Sequence, residues 1–331
     1  MILVTGATGH IGNALVRKLL SRSEKVRALI MKGEDTSSIR DLRLECVVGD
    51  VLDPASLQPA LAGVDTVYHL AGIISIMPGK NPLVWKINVE GTRNVIEAAR
   101  RAGIRRLLYT SSIHAIKSAP HGVVMDESLG FDPDNSYGEY DRSKAAASLE
   151  VQKAALTDLD AVIVCPTGVI GPYDFRGSEM GEVIRGAAEA HTMFYVEGAY
   201  DFVDVRDVAD GMIAVAGHGR RGEIYILGGD KISMRYMLET VREVTGVAFT
   251  SIKIPFSLAK FAARFTPWYY RRTKAKPRFT PYSLEVLQSN SDISHKKAER
   301  ELGFKPRPIT ETIADTVRWY SENRRGGIGN L

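Results

Sequence analysis

The sequence predicts an α/β fold, a doubly wound parallel sheet followed by a smaller, helix-rich C-terminal part. Three observations carry that prediction. Residues 1–20 read as a buried strand, a glycine turn and an amphipathic helix. Short apolar strands then alternate with amphipathic helices down to about residue 170, the pattern of parallel strands joined by crossover helices. Beyond residue 229 the alternation fades and helical patterning takes over.

The opening stretch organises the rest. Ile2, Leu3 and Val4 suit a strand buried on both faces. Gly6, Gly9 and Gly12 follow at three-residue spacing, and residues 11–20 are amphipathic. A doubly wound sheet presents a helix N-terminus to a dinucleotide pyrophosphate in this way. The glycines supply a tight turn, close approach of backbone to phosphate, and close packing of helix on strand. The spacing Gly6-x-x-Gly9-x-x-Gly12 differs from the common G-x-G-x-x-G. Its weight comes from its place between a clean strand and a clean helix.

Residues 25–31 read as the second strand. In NAD-preferring Rossmann domains an acid near the end of this strand bonds the adenosine ribose. Here the strand ends on Leu29-Ile-Met-Lys32, with no acid before Glu34 and Asp35. Lys32 favours the extra phosphate of NADP, so NADP is expected ahead of NAD. Residues 44–48 form the third strand, closed by Gly49-Asp50-Val51. Asp53-Pro54 then caps a helix. Residues 65–70 form the fourth strand, ending in Leu70, Ala71 and Gly72. Helix 88–101 follows, with Asn88 as its N-cap or as an organiser of nearby backbone. The fifth strand, 105–110, runs into Ser111-Ser112. Residues 113–139 are a turn-rich excursion, 140–153 an alanine-rich helix, and 160–165 the sixth strand, closed by residues 166–172. Parallel strands end on one edge, so the glycine loop, Asp50, Ala71–Gly72 and Ser111–Ser112 should line one crevice. Helices at 177–189 and through 216, and a strand at 223–227, complete the regular part. The expected division is a nucleotide-binding part, 1–170, with 201–228 returning to it, and a substrate-binding part, 171–200 and 229–331.

Composition excludes several classes. A net charge of +4, from 43 basic and 39 acidic residues, is too balanced for nucleic acid as the main partner. With 44% hydrophobic and 25% charged residues the chain can bury a full core. Cys46 and Cys165 lie in apolar stretches and read as buried reduced thiols, so no metal site is expected. The N-terminus enters a strand at once, and no run reaches the about 18 apolar residues of a membrane span. A cytoplasmic protein acting on a small molecule is the expectation. Residues 256–279 hold Phe261, Phe265, Trp268, Tyr269, Tyr270 and a basic run, 271–276. Such a stretch can lie on a membrane surface as a peripheral contact; an ordinary solvated face is the alternative.

The chemistry centres on Tyr140-Asp-Arg-Ser-Lys144. Residues at i and i+4 share a helix face. A phenol of pKa about 10 is a poor acid–base group at neutral pH. An adjacent ammonium and an oxidised nicotinamide would favour its phenolate. Ser112 is preferred over Ser111 as the third member, because successive strand residues point to opposite faces. Its hydroxyl could donate to a substrate oxygen beside Tyr140. Tyr137, two turns from Lys144, is the weaker tyrosine.

Taken together these residues resemble an extended short-chain dehydrogenase/reductase of the NAD-dependent epimerase/dehydratase family. The resemblance spans nearly the whole chain. It rests on Thr5-Gly-Ala-Thr-Gly-His-Ile-Gly12, Gly49-Asp50, Asn88-Val-Glu-Gly-Thr-Arg-Asn94, Thr110-Ser-Ser112, Tyr140-x-x-x-Lys144, Pro166-Thr-Gly-Val-Ile-Gly-Pro172, Asp204-Val-Arg-Asp207 and a tail from Lys297 to Pro306. It implies that Tyr140 is the acid–base residue, that Lys144 bonds the nicotinamide ribose and lowers the tyrosine pKa, and that Ser112 polarises the carbonyl. It also implies a cofactor held by Gly6, Thr8, Gly9, His10, Ile11 and Gly12, with Lys32 at the ribose and Asp50 and Val51 at adenine. Leu70, Ala71, Gly72 and Asn88 would lie along it, with Pro166 and Val169 at the nicotinamide. A homodimer through the helices beginning near Asn88 and Tyr140 is implied as well. Two departures stand out. Met31 replaces the arginine frequent in NADP-dependent relatives. Thr167 and Gly168 stand where nucleotide-sugar enzymes usually place asparagine. The second departure is similar to the dihydroflavonol-reductase and 3β-hydroxysteroid-dehydrogenase branch. The expected function is an oxidoreductase of an apolar carbonyl or secondary alcohol. A nucleotide-sugar epimerase or dehydratase with tightly bound NAD is the alternative. A non-catalytic NADP-sensing or scaffold protein is the remaining one.

Overall fold

The computed structural model describes residues 1–273 and 279–324. The end of the basic run 271–276, Lys274 to Lys276, lies outside the described residues, as do residues 325–331 at the end of the expected substrate-binding part. The chain runs β1 (Ile2–Thr5), α1 (His10–Ser21), β2 (Val26–Ile30), β3 (Glu45–Val48), α2 (Pro54–Leu61), β4 (Thr66–His69), α3 (Pro82–Trp85), α4 (Gly91–Ala102), β5 (Arg106–Thr110), α5 (Glu139–Thr157) and β6 (Ala161–Pro166). It continues with β7 (Gly168–Ile170), α6 (Glu179–Glu189), β8 (Thr192–Val196), β9 (Ala199–Asp204), α7 (Val205–His218), β10 (Ile224–Leu227), β11 (Asp230–Ser233), α8 (Met234–Thr245), β12 (Thr250–Ile254), α9 (Phe256–Ala263), α10 (Thr266–Thr273), α11 (Pro281–Gln288), α12 (Lys296–Leu302) and α13 (Ile309–Arg324).

The main sheet has seven parallel strands in the order β10-β6-β5-β4-β1-β2-β3. The order reverses between β1 and β4, which opens a crevice at their carboxyl ends. Leu3 and Val4 show why β1 is central. Leu3 joins the apolar layer of Leu57, Val95 and Val151, from α2, α4 and α5. Val4 joins the opposite layer of Leu15, Val16, Val208 and Met212, from α1 and α7. Alternating residues of one strand thus bury two faces, and the run is apolar without a polar side. Two smaller sheets, β11-β9-β7 and β12-β8, follow the main one.

The turn between β1 and α1 depends on glycine. Gly6 has φ +72, and a Cβ there would lie 2.9 Å from the Ala71 nitrogen. A Cβ on Gly12 would lie 2.1 Å from the Gly6 carbonyl oxygen, with only backbone to move. Gly12→Ala therefore pushes α1 off β1. We expect a loss of about 2 kcal/mol or more of stability, together with weaker dinucleotide binding. Thermal unfolding with and without cofactor checks this, and an unchanged melting temperature would contradict it.

Three expectations are corrected. Asn88 is no N-cap: the helix starts earlier, where the Asn81 carboxamide accepts from Leu83 N and Val84 N. A π-turn over Lys86–Glu90 then carries Asn88 inward. Cys46 is exposed, unlike Cys165. It sits on β3, the edge strand, whose Glu45, Cys46 and Val48 are uncovered. In the stretch 256–279 the described residues form two short helices, α9 and α10, with a turn at Arg264–Phe265 between them.

Candidate active site

The crevice is tied together by a buried polar chain. The Thr5 hydroxyl accepts from Leu70 N (3.2 Å) and Ala71 N (3.0 Å) and lies 2.7 Å from His69 Nδ1. With both acceptances used, its proton goes to Nδ1, which leaves Nε2–H to face Thr92 Oγ1 at 3.1 Å. Thr92 in turn donates to the Asn88 carbonyl (2.6 Å). Burial drives the His69 imidazole down to about 3, so it stays neutral in this chain. The glycine loop, the turn at 70–72 and the Asn88 helix are therefore one rigid unit.

Asn88 fixes the next segment. Its side chain accepts from Ile73 N (2.8 Å) and donates to Ile73 O (3.0 Å) and Ser143 Oγ (2.9 Å). Gly72 lies opposite, where a Cβ would sit 3.0 Å from Asn88 Oδ1 and 3.3 Å from Lys144 Nζ. A side chain at residue 72 would crowd the space in front of the lysine.

Ser112, Tyr140 and Lys144 come together at the ends of β5 and α5. All three are buried. Lys144 donates to the Thr110 carbonyl (2.8 Å) and its ammonium lies 5.0 Å from the centre of the Tyr109 ring. Burial pushes it down to about 8. Burial pushes the Tyr140 phenol up to about 12, against a hydrogen bond with Ser112 that pulls the other way. Burial outweighs any pull of the Lys144 ammonium, which points to the Thr110 carbonyl and the Tyr109 ring. Ser111 turns away and bonds Ser148 Oγ at 2.7 Å. Tyr137 is exposed and reaches only Ser118.

The remaining expected residues lie along the same edge. Thr8 is buried, and Gly9 and His10 are half-buried beside it, with His10 bonded to Pro172 O at 3.0 Å. Ile11 is half-buried at the start of α1. Asp50 accepts from Leu52 N (2.9 Å), and buried Val51 packs where a Gly91 Cβ would stand, 2.8 Å away. Pro166 ends β6, while Val169 belongs to β7 of the second sheet. Lys32 is exposed at the exit of β2.

Sequence reading missed several residues. Glu34 folds back to accept from Met31 N (2.9 Å) and from the Thr8 hydroxyl (2.5 Å). Arg176 donates to both Glu34 (2.7 Å) and Thr8 (2.5 Å). A buried cluster also backs Tyr140. His114 Nε2 lies 2.9 Å from the Tyr200 hydroxyl, and Tyr282 donates to Asp141 (2.8 Å). Burial raises the Asp141 carboxyl and lowers His114. This cluster borders a cleft with Ile113, Met125, Val286 and Ile293. Asp141 had one visible signal, its place beside Tyr140, which reads equally well as a first-turn acid. Glu34 was seen but placed too far from the strand end; Gly33, at φ +80, makes the Met31–Glu34 turn that returns it.

Fold and site together define an NAD(P)-linked oxidoreductase of the Rossmann type. The residues fit a dinucleotide: a Cβ at Gly6 or Gly12 would collide with backbone, and a Cβ at residue 72 would crowd Asn88 and Lys144. The chain belongs to the NAD dependent epimerase/dehydratase family, whose model matches residues 2–228. It is similar to Sterol demethylase protein B of Methylococcus capsulatus, 37% identical over 97% of this chain and 98% of that protein. It is similar also to a 3-beta-hydroxysteroid dehydrogenase of Mycolicibacterium neoaurum, 27% identical over 97% of this chain and 91% of that one. The crystal structure of gox2253 superposes with a TM-score of 0.85 at 34% identity, covering 100% of this chain and 99% of that chain.

Proposed function

We propose that the chain transfers a hydride between a nicotinamide cofactor and the carbonyl or secondary alcohol of an apolar, steroid-like substrate. The observation that carries the reading is the meeting of Ser112, Tyr140 and Lys144 behind the open Gly72. When bound, the nicotinamide supplies or accepts the hydride at its C4. Ser112 and Tyr140 direct hydroxyls to the substrate oxygen. With a phenol near 12, Tyr140 is protonated at neutral pH and gives its proton to that oxygen during reduction. In the oxidative direction it takes the proton back. Lys144, Asn88 and the backbone around Gly72 hold the nicotinamide ribose and set its distance from Tyr140. Residues 171–200 and 229–331 form the substrate-binding part. Supporting an apolar substrate are Ile113, Met125, Val286 and Ile293 in the cleft lining, and relatives named for a sterol and a 3-beta-hydroxysteroid. A homodimer through α4 and α5 is supported by the exposed Leu149 and Leu156 on α5. The test is turnover of hydroxysteroids and ketosteroids with added NAD(H) or NADP(H). Conversion of a nucleotide sugar without added cofactor would instead point to an epimerase.

Cofactor choice falls to the group at the ribose. Lys32 argues for NADP, but it is exposed, whereas the Glu34 carboxylate stands against the glycine loop. A carboxylate there accepts ribose hydroxyls and repels a 2′-phosphate, so the geometry favours NAD. Glu34→Gln removes the repulsion and leaves Arg176 and Lys32. The kcat/KM ratio of NADP to NAD should rise about tenfold or more. An unchanged ratio would remove Glu34 from cofactor choice.

A further inference from the structure

We propose that α9 and α10 dock the protein on an anionic lipid surface. Helix α9 is held from one side only: Ala259 and Ala263 bury against Val196 and Leu284. Its far side carries Leu258 and Phe261, and Phe265 and Trp268 continue the same i, i+3, i+7 stripe through the turn into α10. Phe261, Phe265 and Trp268 are 60%, 59% and 68% exposed, with the two phenylalanine rings 5.4 Å apart. Helix α10 buries no residue at all. Large aromatics so exposed on a helix pair mark a surface that is covered in use.

Charge says what covers it. Lys260 and Arg264, at i and i+4, flank the stripe, and Arg271 and Arg272 end α10. All four are exposed and, among the described residues, none of them pairs with an acid. The sequence contains no Asp or Glu between Glu243 and Glu285. A protein partner of ordinary composition does not require such a long stretch free of acids. An apolar stripe with interfacial Trp and Tyr and a basic margin matches the depth profile of an anionic bilayer surface. The same run of chain leads directly to the site: α11 follows, and its Tyr282 bonds Asp141 beside Tyr140. A membrane-dissolved substrate would thus meet the protein next to its cleft.

Vesicle co-sedimentation tests this with the whole chain. Vesicles of phosphatidylcholine alone are compared with vesicles containing phosphatidylglycerol, at low and high salt. The parent protein should sediment with the phosphatidylglycerol vesicles and be partly released by salt. Arg271→Glu/Arg272→Glu and Phe261→Ser/Trp268→Ser should each weaken binding about tenfold or more. Both should keep parental melting temperatures, since none of the four side chains belongs to the buried core. A parent protein that stays in the supernatant overturns the proposal, as do variants that bind as tightly as the parent. A Phe261→Ser/Trp268→Ser variant that instead dissociates a dimer in sedimentation equilibrium overturns it too, by assigning the stripe to a second copy. Vesicle binding is read without turnover, so it stands or falls separately from the reductase reading.

Discussion

Tyr140→Phe lowers turnover about a hundredfold or more, with cofactor binding and melting temperature near those of the parent. On the proposed reading the phenol delivers the proton to the substrate oxygen at neutral pH. Ser112 can donate a hydrogen bond but has no titration in that range. Lys144 is committed to the Thr110 carbonyl. The phenyl ring keeps the packing of Tyr140 at the start of α5, so stability changes little; what is lost is the hydrogen bond with Ser112, worth about 1 kcal/mol. Single-turnover rates and equilibrium cofactor binding, measured side by side, separate the proton step from binding. Turnover close to that of the parent would remove Tyr140 from the proton step.

Lys144→Met should cost a comparable loss of activity, with weaker cofactor binding, yet leave the folded chain more stable at neutral pH. The ammonium is buried and held at about 8, below the ordinary lysine value of 10.5. Below pH 8 both folded and unfolded chains carry the proton, and the folded one bears the full burial penalty. Between about pH 8 and pH 10.5 the unfolded chain keeps its proton while the folded one releases it. The unfolded state then binds more protons, so the stability of the parent rises with pH across that window. At about 1.4 kcal/mol per pK unit the full relief is about 3 kcal/mol at most. The stability advantage of Lys144→Met should therefore shrink from pH about 7 to pH about 10. Paired thermal unfolding at the two pH values checks this. An advantage that grows with pH would mean that the lysine is not held low.

Much of the fold was legible because its signals are local. Leu3 and Val4 show a strand buried on two faces, and Gly6, Gly9 and Gly12 show the turn that follows it. Ser112, Tyr140 and Lys144 were readable because a strand end and a one-turn helical spacing fix where side chains point. What escaped was set by contacts distant in sequence. His69 becomes a link only when Thr5 and Thr92 close on it from either side. Glu34 gains meaning from Thr8 and Arg176, the latter far along the chain. Cys46 was misread because an edge strand has the same apolar composition as a central one. The phenol of Tyr140 was expected low, since proximity along the helix suggested the ammonium faced it. The folded chain instead turns that ammonium to a carbonyl and a ring, and burial decides the outcome.

The most direct test of hydride transfer to an apolar carbonyl uses NADH, or NADPH, deuterated at C4, with a ketosteroid as substrate. Deuterium should appear on the new carbinol carbon with equimolar oxidised cofactor, and Tyr140→Phe should lose both products. Reduction without deuterium transfer, or turnover confined to nucleotide sugars with the cofactor regenerated in place, would contradict it.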